Sequence, residues 1–181
     1  EIDLIGNGIH FCTACDGFFF KDKTVAIIGG GNSAIINAIT MADISSKVYV
    51  IQNLSYLTCE SALETSLKEK KNVEIILNST VKQIVGKDNL ESIVITSNGI
   101  NKEIKLDGMF ISIGLVPQSD FVKKVLKTNK YGYIESNNCV TDLPGIFVAG
   151  DCRDKAFRQV TISTSDGTIA ATEAINYLNN N

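Results

Sequence analysis

A β-branched run, Val25-Ala26-Ile27-Ile28, empties directly into three consecutive glycines and then into a helical pattern. In Gly29-x-Gly31-x-x-Ala34 the glycines permit a tight turn and close backbone approach, and Ile35, Ala38, Ile39 and Ala42 recur at helical spacing over 33–43. A strand that turns this sharply into an amphipathic helix predicts a parallel neighbour reached by that helix. Lys47 to Ile51 supplies the second strand, Ser61 with Glu64 predicts a capping-box start to a helix through about Lys70, and Val73 to Leu77 is a third strand. The expected class is α/β, with a Rossmann-like parallel sheet.

From Thr80 the pattern changes to alternating runs, Val81 to Val85, Ser92 to Thr96 and Lys102 to Leu106, separated by 86–89 and by the hairpin pair Asn98-Gly99. An antiparallel β-meander is predicted there, after which Met109 to Ile113 returns as an apolar strand. Pro117 and the polar residues after it mark a boundary. Beyond it the pattern predicts a helix near 120–126, a strand-like turn at 131–134, and a final helix over 167–178 with Ile169, Ala170, Ala174 and Tyr177 on one apolar face. This tail holds too little apolar material to stand alone and is expected to need a partner segment.

Ahead of the glycine turn lies Cys12-Thr-Ala-Cys15-Asp16. A Cys-x-x-Cys pair can close a disulfide, open to a dithiol and hold a thiolate where its surroundings favour one. Three readings stand: half of a zinc site, with His10 the sole histidine of the chain; two inert thiols; or a redox dithiol with Asp16 managing the proton. The zinc reading lacks a second cysteine pair, so no metal is expected. Cys59, Cys139 and Cys152 are isolated and read as small apolar residues.

Composition narrows the function classes. With 44% apolar and 20% charged residues and a net charge of −3, the 181 residues offer no basic stripe for nucleic acid or anionic membrane. No apolar run nears the roughly 18 residues that span a bilayer, and 1–20 lacks a signal-peptide pattern, so a cytoplasmic protein is expected. The lead segment lacks Met and enters its first motif abruptly, as a fragment would.

Cys12-Thr-Ala-Cys-Asp-Gly-Phe-Phe-Phe20, Gly29-Gly-Gly-Asn-Ser-Ala34 and Gly145-Ile-Phe-Val-Ala-Gly-Asp-Cys-Arg-Asp154 with Arg158-Gln159-Val160, in this order and spacing, resemble the low-molecular-weight thioredoxin reductases, class II pyridine nucleotide-disulfide oxidoreductase flavoproteins. The resemblance runs over nearly the whole chain. It implies a linker at 1–7, a nucleotide-binding-type domain carrying the cysteines at 8–113, a hinge at 114–117, and the C-terminal part of an FAD-binding domain at 118–181. The N-terminal part of that FAD domain would be absent. Gly150 and Asp151 would hold the ribityl and pyrophosphate region of FAD, and Arg158, Gln159 and Val160 would lie near its ring. Structurally, Asp151 could instead cap the next turn, and Arg158 could be a solvated charge. Gly29, Gly31, Asn32, Ser33 and Ala34 would face a dinucleotide, or the turn could be a packing device without ligand.

The implied activity is a flavin-dependent thioredoxin-disulfide reductase, passing electrons from FAD through Cys12 and Cys15 to thioredoxin or a similar dithiol protein. Cys15, expected nearer the helix start, would face the flavin and Cys12 the partner. Phe18, Phe19 and Phe20 are expected in the core, with one ring at most on the partner surface. The family further implies a homodimer and a rotation of the inserted domain between two poses.

The electron donor departs from the resemblance. Where the NADPH-using pattern has a His-Arg-Arg grip on the 2′-phosphate, this chain has Gln52 to Thr58 without a basic residue, and Ile35-Ile36-Asn37 replaces acidic residues near the nicotinamide. No Asp or Glu ends the second strand to hold a ribose, although Gln52 could bond it weakly. These losses argue against NADPH and NADH and are compatible with the ferredoxin-dependent branch. A different class, a non-catalytic Rossmann-like module sensing redox state, remains as the alternative.

Overall fold

The computed structural model describes residues 2–180 of the chain. These fall into two compact units, Glu1–Gly114 and Leu115–Asn181.

The first unit is built on a five-stranded parallel sheet. Its strands are β1 (Ile9–His10), β2 (Thr24–Ile28), β3 (Lys47–Ile51), β4 (Val73–Ile76) and β8 (Gly108–Ile111), in the order β1-β8-β2-β3-β4. Helix α2 (Asn32–Ala42) links β2 to β3 and α3 (Ser61–Lys68) links β3 to β4, the βαβαβ arrangement expected from the sequence. Strands β5 (Ser79–Gly86), β6 (Leu90–Ser97) and β7 (Ile100–Lys105) form the antiparallel meander, with Ser97 opposite Ile100 across the left-handed Asn98-Gly99 turn.

Because successive strand residues point to opposite faces, β2 serves two cores. Val25 and Ile27 pack with Ile35, Ala38 and Met41 of α2 and Leu67 of α3. Ala26 packs with Ile93, Ile95 and Ile104 of the meander and with Leu4 from the lead segment. Burial on both faces explains why these strands read as continuous apolar runs rather than alternating ones.

The second unit holds one regular element, α4 (Val160–Asn179), and a small core in which Leu126, Ile134 and Val148 are buried. Several expectations are corrected. The segment 120–126 forms turns, with one helix-type bond from Leu126 N–H to Val122 O, too little to offset helix nucleation. Around 131–134 only Ile134 makes bridges, to Thr128 and Arg153. The last helix starts at Val160 rather than Gly167: its first turns are rich in Ser and Thr, weak helix formers, and Thr164 and Thr168 hydroxyls fold back onto carbonyls of the preceding turn. Its one buried residue is Asp166, so the expected apolar face is only partly covered. In α3 the cap is Glu60 and Ser61 is already helical, so no Ser61 capping box forms.

Candidate functional site

The cysteines lie on α1 (Thr13–Asp16), a single turn that follows β1. Cys12 and Cys15 form a disulfide, with their Cα atoms 5.3 Å apart. Cys12 is the N-cap, and its sulfur accepts from the Cys15 backbone N–H at 3.1 Å. The helix therefore starts beside Cys12, not Cys15 as the sequence suggested. Cys15 is the exposed sulfur-bearing residue and Cys12 is half-buried.

Asp16 closes the turn, and its carboxylate is 2.9 Å from His10 Nδ1. Of the phenylalanine triplet only Phe20 enters the core; Phe18 and Phe19 are exposed, and Phe11 is half-exposed on the other side of the cysteine pair in sequence. Exposed phenylalanines thus stand in the chain on both sides of the cysteine pair. Thr13 donates to Asn37 Oδ1 at 2.7 Å, and Asn37 Nδ2 donates to Ser112 Oγ at 2.9 Å. Asn37, noted in the sequence only as a lost acid, ties the cysteine turn to α2 and to the end of β8.

The glycine turn does what its residues allow. Gly29 has φ +131, and a Cβ there would meet Ser112 O at 2.4 Å. Gly31 caps α2, Asn32 and Ser33 are exposed in its first turn, and Ala34 is buried against the sheet. Together they line a cavity of about 690 Å³ with Gln52, Thr58 and Ser112. No lining residue is charged.

Two side chains expected to face a ligand are engaged internally. Gln52 is buried, donating to Tyr56 O at 3.4 Å and accepting from Asn53 N–H at 3.2 Å. Asn32 makes a two-way pair with Glu60, accepting from its N–H at 2.8 Å and donating to Oε1 at 2.9 Å. The cavity thus keeps the helix N-terminus that favours a pyrophosphate, but has no cation for a 2′-phosphate.

In the second unit Gly150 has φ +84 and open space where a side chain would stand. Asp151 is exposed, and Oδ1 accepts from Ser163 Oγ at 2.9 Å and pairs with Lys155 Nζ at 3.3 Å. Arg158 is not a solvated charge: its guanidinium stacks 3.9 Å from the Tyr133 ring centroid, and its buried Nε has no hydrogen-bond partner. Gln159 caps α4 through its backbone, and Val160 stands 80% exposed at the first helical position. An open glycine, an exposed carboxylate and an exposed helix N-terminus suit the polar chain of a flavin dinucleotide.

The sequence missed what holds this turn. Asp166, buried in α4, accepts from Gly150 N–H at 3.1 Å, Lys155 Nζ at 3.0 Å, and Arg153 Nε and Nη2 at 3.2 and 3.1 Å. Burial pushes its carboxyl up, but the Lys155 and Arg153 donors and the Gly150 amide outweigh that and hold it below the usual carboxylate range. Burial pushes the Cys139 thiol up, as for an inert buried cysteine. Among the described residues no cluster of His, Cys, Asp and Glu is placed to hold a metal, and no helix is long and apolar enough to cross a membrane.

The model of the family described as pyridine nucleotide-disulphide oxidoreductase matches residues 3–167. The thioredoxin reductase of Bacillus subtilis is 38% identical over 182 residues, covering 98% of this chain and 58% of that protein. A "34.2 kDa protein in rubredoxin operon" of Clostridium pasteurianum is 38% identical over 181 residues, covering 98% of this chain and 59% of its own. The crystal structure of thioredoxin reductase from Streptococcus pyogenes superposes with a TM-score of 0.90 at 32% identity, over 97% of this chain and 58% of that one. The chain spans under two thirds of these relatives' lengths. With the family model matched over 3–167 and this superposition over 97% of its length, the chain belongs to the pyridine nucleotide-disulphide oxidoreductases and has the thioredoxin reductase fold.

Proposed function

We propose that the chain carries the disulfide-exchange part of a flavin-dependent thioredoxin-disulfide reductase. The observation that carries this reading is the Cys12–Cys15 disulfide on a one-turn helix, with the Cys12 sulfur at a backbone N–H and exposed Phe11, Phe18 and Phe19 before and after it in the chain. The N–H favours a Cys12 thiolate once the pair is reduced. That thiolate attacks one sulfur of a thioredoxin-like disulfide, and the displaced sulfur takes a proton. Cys15, losing its proton to Asp16, then attacks Cys12 and expels the second partner sulfur, which takes that proton back from Asp16; the partner leaves as a dithiol and the Cys12–Cys15 bond is restored. The aromatic surface gives such a partner an apolar seat.

Gly150, Asp151, Arg158, Gln159 and Val160 fit FAD as the parts of its site present in this chain. Bound FAD would supply the two electrons that reopen the disulfide. Segment 114–117 is proposed as the hinge that lets the dithiol alternate between cofactor and partner, Gly114 having φ +102 and free space around it.

For the donor, the uncharged cavity favours a second reading over NADPH. A 2′-phosphate brings nearly two charges that no lining residue meets, so electrons would enter the flavin from a protein donor such as ferredoxin. The complete protein is purified and reduced anaerobically by NADPH, NADH and reduced ferredoxin in parallel, with thioredoxin-disulfide as acceptor. Flavin absorbance bleached by ferredoxin, and turnover lost in Cys12→Ser and Cys15→Ser, are expected. A colourless protein, or undiminished turnover in both serine variants, overturns the reductase reading; rapid bleaching by NADPH overturns the donor reading alone.

A further inference from the structure

His10 is the one histidine of the chain, and its place is unusual for a polar side chain. Strand β1 pairs it with Phe110 of β8, and the imidazole packs in a triangle of rings with Phe20, 5.1 Å away by centroid, and Phe110 at 5.5 Å. Its side chain is 10% exposed, and Nδ1 lies 2.9 Å from Asp16 Oδ2. An ionised carboxylate only accepts, so Nδ1 carries the proton of this bond. Among the described residues Asp16 is the one charged group within ion-pair reach of the ring. Strand β8, paired with β1, brings Phe110 against the ring, and beyond Phe20 stands Lys23, with Nζ 5.6 Å from the Phe20 centroid.

We infer that His10 is the positioning residue of a His10–Asp16 proton-holding pair that serves opening and closing of the Cys12–Cys15 disulfide. The inference rests on the reading of that disulfide as redox-active. Two rigid rings and a strand fix the imidazole, the imidazole fixes the carboxylate, and the carboxylate belongs to the residue directly after Cys15. When a dithiol reductant opens the bond, its thiolate attacks one sulfur and the S–S bond breaks. The displaced sulfur takes a proton from the pair, and the pair regains one from the reductant's second thiol as that thiol closes the reductant's own disulfide. Two electrons and two protons pass in all: the reductant becomes a disulfide and the chain a dithiol.

The test follows the rate of thiol appearance in the full chain with dithiothreitol, from about pH 6 to about pH 9, the range over which an ordinary thiol, ionising near about 8.5, ceases to need a proton as it leaves. His10→Asn keeps a donor near Nδ1 but cannot store a proton. Its rate is expected to fall on the order of 10-fold near pH 6.5 and to converge on the parent near pH 9. This is less than the ~10²-fold usual for general-acid catalysis, because a thiolate is a weakly basic leaving group. Asp16→Asn should show the same converging profile, and the double variant should be no slower than either single one. A ratio constant across pH, or rates equal to the parent, overturns the inference and leaves His10 a packing residue. If His10→Asn does not fold, the partly exposed Asp16→Asn decides by itself. A parent whose disulfide does not open at all defeats the redox reading instead, a separate result.

Discussion

The two units of the molecule hold themselves together by different means. Glu1–Gly114 has a sheet with apolar cores on both faces and, the His10–Asp16 pair apart, keeps its ion pairs in reach of water, whereas Leu115–Asn181 buries only Leu126, Ile134 and Val148 in its apolar core cluster and places Asp166, Arg153 and Lys155 inside. Lys155 is 7% and Asp166 3% exposed, so this network has left water, while Lys68 and Glu64 in the first unit are 62% and 36% exposed. The same chemistry therefore carries unequal weight. A charge stripped of water is held only by its partners, and removing one partner leaves the others uncompensated. The difference also has a functional side: the ionic network sits under the Gly150–Asp151 turn proposed to face the flavin, so the second unit spends its few buried contacts on the shape of that turn.

The largest expected effect comes from breaking this network. Asp166→Ala should destabilise the second unit by about 3–5 kcal/mol, since Arg153 and Lys155 would stay buried without a carboxylate. Amide hydrogen exchange should accelerate across α4 and the Gly150 turn while β2 and β3 keep their protection; equal loss in both units would show that they do not differ as argued. Acid should do the same without mutation. The folded Asp166 carboxyl lies below its unfolded value of about 3.9, so its stabilisation is full above that pH and is lost as pH falls through the depressed folded value. Exchange in α4 should rise at low pH more steeply in the parent than in Asp166→Ala, which has no such carboxyl to protonate.

A middle-sized effect is expected in the apolar core. Ile27 is fully buried in β2 and packs under α2. Ile27→Val removes one methylene and should cost about 1 kcal/mol, read as a shift of the urea midpoint of the first unit, with no acid or salt dependence. A cost that varied with pH or salt would mean that this core is coupled to charge.

How much of this was legible in the sequence follows from the same contrast. The first unit declares itself because its strands and helices repeat apolar residues at their own periods, so β2, α2, β3, β4 and the meander emerged within a few residues of their ends. β1 did not, since the two residues Ile9 and His10 hold no period. In the second unit the signal fails where polar residues do the packing. A pattern reader sees Asp166 and the Ser/Thr run before it as surface and starts α4 late, although that aspartate is the helix's buried residue. At the candidate site the cysteines and glycines were visible as motifs. His10, Asn37 and Asp166 act through partners 6, 24 and 16 residues away, and nothing local announces such pairings.

The smallest effect separates two meanings of one residue. Glu64 was expected to close a capping box with Ser61, but Glu60 is the cap, its N–H is taken by Asn32, and Glu64 pairs with Lys68 at 2.6 Å one turn on. A capping box would make Ser61→Ala cost ~1 kcal/mol and would tolerate Glu64→Gln, because glutamine caps as well as glutamate. The observed arrangement reverses both. Ser61→Ala should leave the urea midpoint of the first unit unchanged, and Glu64→Gln should cost about 0.3–0.5 kcal/mol, fading at 1 M salt where the screening length is about 3 Å. A loss that survives high salt would place this exposed pair with the buried Asp166 network and erase the distinction between the units; a loss that salt removes confirms that charge carries structural weight here only where water is excluded.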